Sequence, residues 1–103
     1  MNKQVKTSEL SGAALDWAVC VAEYGYGSDY KANRYSTDWA FGGPIIDREG
    51  ICIGRISAAY WIASPNAESS KDNAGPTPLI AAMRCYVASK LGDIVEIPED
   101  LTT

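Results

Sequence analysis

Histidine is absent from the 103 residues of this chain. Without an imidazole, Ser-His and Cys-His activation of a nucleophile are closed to it, as are the usual mixed cysteine–histidine zinc sites. Cysteine is scarce: Cys20, Cys52 and Cys85 are odd in number, widely spaced and form no CxxC pair. Each stands in an apolar stretch, so three buried, reduced thiols are expected rather than disulfides or metal ligands. No apolar run approaches the roughly 18 residues of a membrane-spanning helix. The opening MNKQVKTSEL has no apolar segment of the kind that exports a chain. The expected location is therefore the cytoplasm, with no membrane partner. Lys and Arg form no cluster, so binding of nucleic acid through its phosphates is not expected either.

Cofactor and catalytic signatures are missing too. Gly42-Gly43 before Pro44 matches neither a phosphate loop nor a dinucleotide fingerprint. No nucleophile, base and oxyanion set can be assembled from spacing; carboxylate pairs such as Asp47 with Glu49, or Asp93 with Glu96, are common on solvated faces. No enzyme and no cofactor is expected.

What is present is ordinary globular material, with 47% hydrophobic and 21% charged residues. The length suits one domain with a real core. The net charge of −4 is unevenly placed: residues 93–103 hold Asp93, Glu96, Glu99 and Asp100 without a base, leaving nine acids against nine bases elsewhere. An acidic tail from 93 to 103 is therefore expected to add solubility or partner contact more than core.

LSGAALDWAVCVAEYG reads as a first helix, with Ser11 as N-cap, Leu10 and Leu15 as a hydrophobic staple, and Gly25 at the left-handed C′ position. Its polar stripe is narrow, so most of it is buried. Residues 24–35 read as loop or irregular strand. STDWAFGGPIIDREG fits one kinked helix or two short ones, capped by Ser36 or Thr37, with Pro44 opening a renewed turn. GICIGRISAAYWIAS, too long for one strand, reads as a hairpin turning near Ser57 and apolar on both faces. Residues 65–75 read as a polar, mobile loop. GPTPLIAAMRCYVASKLGD is a helix capped by Thr77, with Pro78 at its first position, Lys90 near its end and Gly92 at C′. VEIP, residues 95–98, reads as a short edge strand. The expected fold is α+β: a small, mostly antiparallel sheet covered by helices on both faces, in a single domain.

Two places are candidate sites. Arg84 shares a helical face with Thr77, Ala81 and Ala88, small residues that let another body approach. Its guanidinium has three readings: solvation or pairing with Asp47 or Glu49, a homodimer seam, or capture of an anionic ligand near a helix N-terminus. The second candidate is the Gly42-Gly43-Pro44 element, where glycines open the backbone to a ligand and Tyr35, Trp39 and Phe41 supply rings to stack on it. The competing reading is a tight helical corner with Trp39 in the core.

LSGAALDWAV, YSTDWAFGGPII and, above all, GPTPLIAAMRCYVASKLGD resemble the NinX-like family of small proteins from lambdoid phages and their prophages. The resemblance covers residues 5–23, 35–51 and 75–101. YSTDWA, a strand pair with Trp and a PLIAA helix are also loosely similar to a phage domain built as a helix–sheet–helix sandwich. The resemblance implies a phage accessory protein working inside an infected bacterium, with no activity attached to it. Two functions fit: sequestration of a small anionic, nucleotide-like ligand, or docking on a host or phage protein, with the acidic tail contributing.

Overall fold

The computed structural model describes residues 2–25, 33–65 and 72–101. Strand β1 (Asn2–Lys6) leads through a 3₁₀ turn (Thr7–Glu9) into helix α1 (Gly12–Tyr24). Helix α2 (Trp39–Glu49), the hairpin β2 (Cys52–Ser57) and β3 (Tyr60–Ser64), strand β4 (Asn73–Gly75), helix α3 (Pro78–Leu91) and strand β5 (Ile94–Pro98) follow. The chain is thus α+β, with strands paired antiparallel throughout.

Helix α3 is the centre of the molecule. Thr77 Oγ1 accepts from Ile80 N at 3.1 Å, Pro78 gives up an N–H that would have no helical partner, and Gly92, at φ +91°, ends the helix. One flank meets β2, β3 and β4, while α1 and α2 pack on others. Ala81, Ala82, Met83 and Val87 are all fully buried. A helix enclosed in this way needs no polar stripe, which explains why its sequence is apolar nearly all round.

The strands form two sheets. In the larger, Ile53 faces Ala63 and Arg55 faces Trp61, and β4 then joins β3 with Gly75 opposite Trp61. A bulge between Arg55 and Ser57 closes the hairpin end. Gly75 is there for space: a Cβ on it would stand 2.8 Å from Ala81 N and 2.9 Å from Ile80 Cγ2. The smaller sheet pairs β1 with β5, with Val5 opposite Val95. Thr7 locks it to the end of α3, donating from Oγ1 to Gly92 O at 2.7 Å and from N to Asp93 O at 2.8 Å.

The structure corrects several expectations. Helix cover is one-sided among the described residues: α3 takes the Ile53, Trp61 and Ala63 face, while Cys52, Ile56 and Tyr60 are exposed. The reason is layering, since α1 and α2 pack onto α3 instead of onto the sheet. Cys52 is accordingly an exposed thiol; only Cys20 and Cys85 are buried. Burial raises the Cys85 thiol to about 11.

The segment from Asp93 is not a solvated tail, because Val95 and Ile97 lie in the core and Leu101 packs on it. Asp93, Glu96 and Glu99 are exposed while Val95 and Ile97 point inward, the pattern of a half-buried strand. Of the expected loop at 65–75, residues 73–75 are β4, and residues 66–71 lie outside the described residues. The expected loop at 24–35 lies largely outside them too. Ser11 precedes α1 in extended conformation but makes no side-chain cap bond. Helix α2 is one element with Pro44 inside it, capped by Asp38, whose carboxylate accepts from Ala40 N, and not by Ser36 or Thr37. No described helix is long and apolar enough to cross a membrane.

Candidate functional site

Arg84 answers to backbone, not to a carboxylate. Its Nε donates to Leu10 O at 2.7 Å and its Nη1 to Ala74 O at 2.8 Å. One guanidinium thereby joins the entry of α1, strand β4 and helix α3. Partial burial lowers its pKa from the ordinary value, with desolvation the cause. The expected partners are used elsewhere: Glu49 accepts from Arg48 Nε at 2.8 Å and pairs with Lys90 at 3.4 Å, and Asp47 is exposed. The small-residue face around Arg84 is also occupied, since β4 lies against Ala81 through Gly75.

The other predicted site residues do converge. The N-terminal turns of α2 and α3 meet along a groove of about 230 Å³ lined by Ser36, Thr37, Trp39, Thr77, Pro78 and Leu79 with Ile80. Trp39 is 53% exposed on its rim. Phe41, 40% exposed, stands edge-to-face with Tyr35, ring centres 6.1 Å apart. Tyr35 itself is buried, and that burial pushes its hydroxyl to about 12. Asp16 of α1 fixes the turn beneath by accepting from Ser36 N at 2.8 Å and Ser36 Oγ at 2.6 Å.

The glycine pair divides its work. A Cβ on Gly42 would lie 2.5 Å from Leu79 Cδ1 and 2.6 Å from Tyr35 O, so this glycine serves close packing of α2 on α3. A Cβ on Gly43 would meet only Trp39 Cε3, at 3.9 Å. The open backbone expected at Gly42 is therefore filled by the protein itself, and Trp39, placed in the core by the corner reading, stands half out of it.

Sequence reading missed one polar cluster. Arg48 binds Glu23 through Nη1 and Nη2 and also donates to Tyr86 Oη at 3.2 Å, while Tyr86 donates to Glu23 Oε1 at 2.7 Å. Arg48, and then the Tyr86 hydroxyl, hold the Glu23 carboxyl below its usual range against the opposing effect of burial. Burial, then the Glu23 bond, push Tyr86 upward. This cluster ties α1, α2 and α3 together. Its one sequence signal was Glu23, which with Asp16 is one of two charged side chains on α1.

Two larger grooves, of about 470 and 370 Å³, share Asp72, Asn73 and Asp93. None of the predicted site residues lines them. Their carboxylates suit a cation, the opposite of the anion expected from the sequence. No group of three or more His, Cys, Asp or Glu that could hold a metal occurs among the described residues.

No curated protein matches the chain. The family described as Bacteriophage P22, NinX matches residues 6–90, a span that takes in α1, α2, the three-stranded sheet and α3 up to its penultimate residue. The chain belongs to this phage NinX family and, as such, is a phage accessory protein.

Proposed function

We propose that the protein is a non-catalytic phage or prophage factor that works in the host cytoplasm by docking another protein at the groove between α2 and α3. The observation that carries this reading is Trp39, a large aromatic half exposed on the rim of an apolar groove. Aromatic side chains of this kind dominate the energetics of protein contacts. The partner would insert an apolar side chain over Pro78 and Leu79. A basic flank suits it, because Asp38 stands at the start of α2 and the chain carries −4.

Sequestration of an anionic, nucleotide-like ligand has less support. No Lys or Arg lines the groove, Arg84 is held by two carbonyls, and the Ala40 and Ile80 N–H groups already have side-chain acceptors. Homodimerisation through the Arg84 face loses support for the reason given above: β4 covers it.

The test compares wild type with Trp39→Ser as bait in infected-cell lysate, alongside thermal unfolding with a nucleotide panel. Docking at the groove requires a specific partner captured by wild type and lost with Trp39→Ser. A nucleotide that raises stability by about 2.7 kcal/mol at 100 times its Kd would overturn the reading in favour of sequestration.

A further inference from the structure

The strand edges are not alike. Strand β1 carries Lys3 and Lys6, β5 carries Glu96 and Pro98, and β4 is three residues long and followed by Pro76. Charge, proline and shortness are the devices by which proteins keep sheet edges from pairing with other chains. Strand β2, CIGRIS, is six residues long, has no proline and carries a single charge, Arg55. It lies at the edge of the order β2-β3-β4, so one row of its N–H and C=O groups has no strand partner among the described residues.

The same segment is free of acid. No Asp or Glu occurs between residues 50 and 64, although the chain as a whole carries −4. Its one charge, Arg55, is drawn back over the Trp61 ring at 5.7 Å and donates to Ser57 O at 3.3 Å. A second copy can therefore approach this edge without bringing carboxylates together.

We propose that β2 pairs antiparallel with β2 of a second copy, about a two-fold axis at Gly54, joining two three-stranded sheets into one of six strands. In that register Gly54 faces Gly54, and each Arg55 faces Ile53 of the other copy, so no two guanidinium groups are opposed. Cys52 and Gly54 of both copies then share the outer face, beside the exposed Tyr60. The interface is isologous, as a closed dimer needs. This inference is independent of the α2–α3 groove.

One position tests it from both sides. Gly54 tolerates a side chain: an added Cβ would meet only Ile62, at 3.6 Å and beyond, and its φ is not left-handed. Gly54→Lys sets two ammonium groups face to face at the axis, so sedimentation velocity should show the dimer dissociation constant rising at least tenfold, with the circular dichroism unchanged. Gly54→Cys in a Cys52→Ser background places two thiols across the axis, and a short bismaleimide should convert the dilute protein to a covalent dimer. A chain that is monomeric at all concentrations overturns the proposal. A dimer that survives Gly54→Lys undiminished does so too, as does failure of Gly54→Cys to cross-link.

Discussion

Removing the Arg84 guanidinium should destabilise the fold, and the size of the loss follows from two bonds. Hydrogen bonds from a charged donor contribute about 1.5–3 kcal/mol each, and Arg84 makes two, at 2.7 and 2.8 Å. Against this, Arg84→Ala relieves the desolvation that lowers the guanidinium's pKa, and alanine favours the helix slightly. The expected net loss is about 2–4 kcal/mol. Arg84→Lys keeps the charge but, as a single ammonium, cannot span Leu10 O and Ala74 O as a planar fork does, so about half of the loss should remain. Urea unfolding followed by circular dichroism gives the answer. With a slope of about 1–3 kcal/mol per molar for a protein of this size, the midpoint for Arg84→Ala should fall by roughly 1–2 M. A change below about 0.5 kcal/mol, or a lysine variant equal to wild type, would refute the view that this side chain clamps α1, β4 and α3.

Adjacent glycines should respond differently to the same change. Gly42→Ala should lower stability by about 1–2 kcal/mol, because overpacking against the fixed Tyr35 O outweighs the gain in helix propensity. Gly43→Ala should stay within about 0.5 kcal/mol of wild type: the site is open, but Pro44 next to it offsets the propensity gain. Similar thermal midpoints for the two variants would dismiss the packing argument. The Glu23–Arg48–Tyr86 cluster predicts acid sensitivity. Glu23 has a lowered folded pKa, so its contribution is fully present above the ordinary value of 4.5 and is lost as pH falls through the folded value. Glu23→Gln should cost about 1 kcal/mol at pH 7, modest because Arg48 is half exposed, and should flatten the stability profile below pH 5; an unchanged acid limb would remove Glu23 from the account.

Local elements and family membership were legible in the order of the residues. Thr77, Pro78 and Gly92 define where α3 begins and ends through bonds that span only a few residues, so their chemistry is legible in one dimension. The hairpin within residues 50–64 and the strand at 95–98 were also within reach of pattern and composition, whereas Thr77 and the Tyr35–Trp39–Gly42 element read as two separate places until packing brought them together. Which face each element turns to which neighbour was settled by packing alone. Arg84 stood on the expected face of α3, but Leu10 and Ala74 lie 74 and 10 residues away, and no spacing rule names a backbone carbonyl as a partner. Apolar residues on both faces of β2 and β3 promised two covers, yet α1 and α2 stack on α3, so Cys52, Ile56 and Tyr60 remain bare. The run after Asp93 looked like a tail by its charge, and Val95 and Ile97 went into the core because β1 supplied an edge to pair with. Burial depends on what other segments occupy the space, and a sequence pattern records only what a residue can tolerate on each side.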